Sequence, residues 1–118
     1  MKFSEYIQYD GLGLAQLVKN KEVHASELLR IALERTDKTN SKLNAVIIPM
    51  YEQAKQRTQQ QSSGLFAGVP FLVKDLFQEY QGVPTSYGSN ALKKINYTPD
   101  FNAEIVNRWE KTGIITFG

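Results

Sequence analysis

Apolar positions recur with a helical period early in the chain and alternate with a period of two near its middle. Leu12, Leu14, Leu17 and Val18 follow Asp10-Gly11, a spacing that predicts a short helix ending near Asn20. Ala25, Leu28, Leu29, Ala32 and Leu33 share one stripe, with Glu27, Arg30, Glu34 and Lys38 around the rest. That arrangement predicts an amphipathic helix from Ser26 to Asn40 that covers a sheet. Asn44 to Ile48 is short, branched and closed by Pro49, and reads as a strand. Tyr51 to Gln61 reads as a helix with a wet, glutamine-rich end, and Ser62-Ser63-Gly64 as a polar break.

The central run is Gly68-Val69-Pro70-Phe71-Leu72-Val73-Lys74-Asp75. Alternation puts Val69, Phe71 and Val73 on one face and Pro70, Leu72 and Lys74 on the other. Both faces are largely apolar, as in a strand covered on two sides. Lys74 then enters a buried layer or stops at its rim. Two readings follow. In one the lysine stem lies along apolar surface and the ammonium reaches water, with Asp75 or another carboxylate as partner. In the other the lysine is desolvated and acts as a base.

Downstream, Gly82-Val83-Pro84-Thr85-Ser86-Tyr87-Gly88-Ser89-Asn90 is a loop dense in glycine and hydroxyls. Thr85, Ser86 and Ser89 are nucleophile candidates by residue type, or hydroxyls that hydrogen-bond the backbone of a tight loop. Asp100 or Asn102 can cap a helix whose buried face is Ile105, Val106 and Trp109, and Gly113 stops it. Ile114 to Phe117 is a strand with nothing after it to cover or pair its edge. Three short strands alternating with four helices predict an α/β layer with parallel helix-connected strands.

Composition narrows the chemistry. A chain of 118 residues with 42% apolar and 22% charged residues suits one globular domain. A net charge of +2, with basic and acidic residues interspersed, gives no basis for a nucleic-acid or membrane-surface partner. There is no cysteine, so disulfide and thiolate chemistry are excluded, and His24 is the sole histidine, so no histidine-based triad can form within the chain. Nothing in the residues implies a cofactor. With no signal-peptide pattern after Met1 and no membrane-length apolar run, the default expectation is cytoplasmic.

The ordered set of motifs resembles the N-terminal part of the amidase signature family. It runs from Leu17-Val18 and Glu27-Leu28 through Leu43-Asn44-Ala45-Val46 to Gly68-Val69-Pro70 with Lys74-Asp75. Gly82, Thr85-Ser86, Gly88-Ser89, Glu104-Ile105-Val106 and Gly113 to Gly118 continue it. The resemblance implies the opening section of a longer mixed sheet covered by helices, with residues 1–118 a truncated part of one domain. It implies a hydrolase of carboxamide C–N bonds that uses a Ser, cis-Ser, Lys arrangement. In that scheme the lysine matching Lys74 is neutral and activates the nucleophilic serine through the bridging serine. Asp75, Thr85, Ser86, Gly88 and Ser89 take supporting places in the floor of the site.

The family's Gly- and Ser-rich segment would lie past Gly118, so this chain is expected to supply the lysine without the serines and to be inactive alone. Ser62-Ser63-Gly64 precedes the lysine and reads as a linker. His24 stands where the family usually has a serine, which breaks a capping box with Glu27. The implied partners are a small amide substrate and either the remainder of the domain or another copy bound through the strand edge. Two alternatives stay open. One is an A-subunit-like part of a tRNA-dependent amidotransferase, which typically has Ala-Ser where Gly88-Ser89 stands. The other is a non-catalytic fragment that pairs through the Ile114 to Phe117 edge.

Overall fold

The computed structural model describes residues 1–60 and 63–118. They group into two compact units, Met1–Leu72 with Lys111–Gly118 and Val73–Glu110. The first unit carries α1 (Phe3–Tyr6), α2 (Gly11–Lys19), α3 (Ala25–Leu43), α4 (Tyr51–Thr58), β1 (Pro70–Phe71) and β2 (Ile115–Thr116). The second carries α5 (Asn90–Lys94) and most of α6 (Glu104–Lys111). Helix predominates, and the strands form one small parallel sheet with Pro70 opposite Ile115 and Phe71 opposite Thr116. The parallel pairing is the one the alternating elements imply.

Helix α3 is the spine of the first unit. Leu28 joins Leu14, Ala15, Val23 and Val69 in one apolar cluster, and Ala25 and Leu29 join Ala54, Ile115 and Phe117 in another. Being covered on more than one side explains why Ile31, off the anticipated stripe, is also buried. Helix α2 starts where Asp10 accepts the N–H of Gly13 at 2.7 Å. At the head of α3, His24 is exposed and makes no side-chain cap bond, while Glu27 takes the amino group of Met1 instead.

Several expectations are corrected. Residues 44–48 are not a strand. Asn44 closes α3 in the left-handed conformation, and the Asn40 carboxamide holds both backbone groups of Val46, at 2.8 and 2.9 Å, so no ladder is needed there. Helix α4 ends at Thr58; Gln61 and Ser62 lie outside the described residues. Asn102 does not cap α6, because its carboxamide oxygen accepts the N–H of Gln81 at 2.7 Å. On that helix Val106 is buried and Ile105 is exposed.

The segment from Ile114 to Phe117 is not uncovered. All four side chains are buried, with Ile115 at 1% exposure, and β2 runs beside β1 and packs on α4. Backbone bonds extend the pairing past the two short strands: Phe66 N–H to Thr112 O, Gly68 N–H to Gly113 O, Ile115 N–H to Val69 O and Phe117 N–H to Phe71 O, all at 2.8–3.0 Å. The Met50 N–H takes the Phe117 carbonyl at 3.0 Å. Glycine makes this crossing possible. A Cβ on Gly64 would lie 2.5 Å from the Thr112 carbonyl, and one on Gly113 2.8 Å from the Ala67 Cα.

Candidate functional site

The residues singled out from the sequence lie together in the second unit, between Val73 and Asn90. Lys74 follows β1 by three positions. The expected buried run does not extend to it: Leu72 is 42% exposed and Lys74 is exposed. The physical reason is local. β1 has one paired neighbour among the described residues, and the Leu76 N–H bends back to the Lys74 carbonyl at 2.8 Å, which ends the extended conformation. The Lys74 N–H donates to Gln78 Oε1 at 2.6 Å. Among the described residues no carboxylate stands within ion-pair distance of its ammonium.

Asp75 is engaged elsewhere. Its Oδ1 accepts the Thr85 hydroxyl and the Ser86 N–H, the latter at 2.8 Å, and its Oδ2 accepts the Ser86 hydroxyl at 2.6 Å. Partial burial pushes the carboxyl upward, but bonds from Ser86 and Thr85 outweigh it and hold the group below its ordinary range. The Thr85 and Ser86 hydroxyls both donate to Asp75, which anchors this part of the loop. Thr85 is buried, and its N–H donates to the Tyr97 carbonyl at 3.0 Å. The Thr85 and Ser86 hydroxyls thus bond a side chain, and of the two only Ser86 also meets the loop backbone, accepting the Gly88 N–H at 3.3 Å.

Gly88 and Ser89 complete a tight turn. The Ser89 N–H reaches the Ser86 carbonyl at 2.7 Å across Tyr87 and Gly88, whose φ values are +51° and +71°. Two successive positive φ angles mark the mirror-image type I turn, where Gly88 is at ease and a tyrosine is not. The Ser89 hydroxyl caps α5 by accepting the Leu92 N–H at 3.5 Å.

Sequence reading missed the partners of this turn. The Tyr87 hydroxyl donates to Glu79, which pushes the phenol up to about 12. The ring of Phe77 lies against that of Tyr87 with centroids 5.8 Å apart. The Tyr87-Gly88 dipeptide signals the turn, but no periodicity in the sequence links it to Glu79 or Phe77. Among the described residues, no group of three His, Cys, Asp or Glu is placed to share a metal ion, and no helix is long and apolar enough to cross a membrane.

Comparison with known proteins gives a consistent result. The amidase family profile matches residues 27–118. The 6-aminohexanoate-cyclic-dimer hydrolase of Pseudomonas sp. is 36% identical over 109 residues, covering 92% of this chain and 22% of that protein. The A-subunit of the glutamyl-tRNA(Gln) amidotransferase of Bdellovibrio bacteriovorus is 33% identical over 113 residues, covering 89% of this chain and 22% of its own length. A solved structure of 6-aminohexanoate cyclic dimer hydrolase superposes with a TM-score of 0.87 at 34% identity, covering 93% of this chain and 23% of the other. The chain thus spans about a fifth of the length of these relatives, in line with the 22% coverage.

Proposed function

This chain belongs to the amidase family, and from that premise we propose that it supplies the lysine of an amide-hydrolysing site whose serines come from outside residues 1–118. Lys74 is the base. In its neutral form it takes a proton, relayed by a bridging cis-serine, from the nucleophilic serine. The serine oxygen adds to the amide carbonyl carbon, the C–N bond breaks, and the amine leaves carrying a proton. Water then cleaves the acyl-serine ester and restores the enzyme. The substrate class is a small-molecule carboxamide. Asp75, Thr85, Ser86, Gly88 and Ser89 form the supporting floor.

The observation that carries this reading is that Lys74 lies inside a segment matched by the family and has no carboxylate partner among the described residues. A lysine that must lose and regain a proton is poorly served by a permanent counter-ion, which would favour its charged form.

The test uses these residues alone and then joined to the remainder of an amidase domain. Alone they should release no amine from an amide; hydrolysis by the 118-residue chain that vanishes in Lys74→Ala would overturn the division of the site. In the joined polypeptide, Lys74→Ala should lower kcat by roughly 10²–10⁴, the range for a general base.

The 33% identity to the amidotransferase component favours a second reading, in which the same site releases ammonia from an amide donor within a multi-subunit enzyme. Co-purification of further subunits with the complete protein would support it, and an amidase active without them would count against it.

A further inference from the structure

Among the described residues, five other than glycine have positive φ: Lys21, Asn44, Phe77, Tyr87 and Asn96. Asparagine visits that region readily. Lys21 closes α2, its N–H on Val18 O at 3.0 Å and that of Glu22 on Leu17 O at 2.9 Å, the pattern of a left-handed helix cap. Phe77 and Tyr87 have no such excuse. Both are bulky, both lie between Lys74 and α5, and their rings touch. Left-handed backbone at such residues persists only where surrounding contacts over-determine it.

Asp75 supplies such contacts directly before Tyr87 in the chain. Its carboxylate receives the Thr85 hydroxyl and the Ser86 N–H and hydroxyl. These three bonds engage both oxygens of Asp75, and Lys74 is not among its partners. At the other end of Tyr87 the hydroxyl is fixed on Glu79. Lys74 shares its backbone with Asp75, and its own N–H is held by Gln78.

We infer that Asp75 is the positioning residue of the candidate site: through Thr85 and Ser86 its carboxylate locks the 86–89 turn, and with it the Phe77–Tyr87 pair, in register with the Lys74 backbone. The functional meaning rests on Lys74 as the base, but the lock is a property of this chain and is testable in it.

Amide hydrogen exchange by NMR on the 118-residue chain is the test. Asp75→Ala should speed exchange at Ser86, Tyr87 and Ser89 at least about tenfold, the factor expected for losing a hydrogen bond to a charged group. Asp75→Asn, which keeps one acceptor oxygen, should fall between. Exchange at Ile115 and Phe117 should not change, and Lys74→Ala should leave the whole pattern in place. In the unsubstituted chain the protection at Ser86 should fade in acid as Asp75 protonates, below its ordinary value of 3.8; in Asp75→Asn that acid dependence should be missing. Lys74, Glu79, Tyr80 and Tyr87 are the other titratable groups of the segment, and their variants separate their contributions.

Unchanged exchange at Ser86 to Ser89 in both Asp75 variants would overturn the inference, as would Ile115 and Phe117 rising in parallel. If Asp75→Ala does not fold, the acid profile of Asp75→Asn decides alone. Hydrolysis that survives Lys74→Ala in a complete domain would instead remove the base reading and leave the exchange result standing.

Discussion

Gly113 and Gly88 have nearly the same backbone torsion, +82° and +71°, in opposite surroundings. A Cβ on Gly113 would lie 2.8 Å from the Ala67 Cα and closer still to the Ser63 carbonyl, whereas one on Gly88 meets nothing within 4 Å. The first belongs to a crossing of two backbones, closed by main-chain hydrogen bonds under buried side chains. The second belongs to a turn held by side chains, above all the carboxylate of Asp75. The difference is one of kind. The crossing can adopt one geometry only, while the turn keeps its shape as long as a few polar groups stay paired. Functional loops are commonly drawn from that second, less stable class on a rigid scaffold.

Gly113→Ala should break this contrast most severely. It adds a left-handed penalty to a backbone collision, together upward of about 3 kcal/mol. Urea denaturation should find the variant largely unfolded or shifted by that amount; a fully stable variant would show that the crossing is not rigid.

Acid should separate the two regions next. Asp75 and Glu27 both have depressed values, so each contributes stability that is present above its unfolded value, 3.8 and 4.5 respectively, and lost as pH falls through the lower folded value. For Glu27, which belongs to the first unit and not to the turn, the leading cause is the bond from the Met1 amino group. In the turn the expected loss is local and roughly 1.5–3 kcal/mol, the range for a hydrogen bond to a charged group. Loop amide signals should broaden or shift in acid before those of Ile115 and Phe117.

Gly88→Ala should cost only about 1 kcal/mol, since its φ is unfavourable but its surroundings are open. Measured beside Gly113→Ala, it isolates the torsional part. An equal cost for the two would refute the contrast.

Tyr87→Phe should have the smallest effect on folding and a clear spectroscopic one. Because the Tyr87 phenol is raised from 10.0 to about 12, its contribution is present below 10.0 and lost as pH rises through the folded value. The late step in the ultraviolet phenolate titration should disappear in the variant, while burial of Tyr6 and Tyr51 keeps other late components.

What the sequence disclosed follows the same divide. The spine α3 was legible because its 3.6-residue stripe is repeated several times, and Gly113 was legible as a helix stop. Residues 44–48 were misread because their hydrogen-bond partner is a side chain, Asn40, outside any strand pattern. Lys74 was expected in or beside a buried layer because alternation assumes a long strand, and β1 is two residues long with one neighbour among the described residues. The hydroxyls of the 82–90 loop were visible as loop formers. That Asp75, ten residues upstream of Thr85, is what they hold could not be read from spacing, since the contact depends on a turn beginning at Lys74. The Tyr87–Glu79 bond had no signature at all.

The most direct measurement is single-turnover acylation by an amide substrate in a polypeptide carrying these residues and the remainder of an amidase domain, with and without Lys74→Ala. The expected result is a loss of about 10²–10⁴ in the acylation rate with substrate binding preserved. An acylation rate unchanged by the substitution would contradict the assignment of Lys74 as the base.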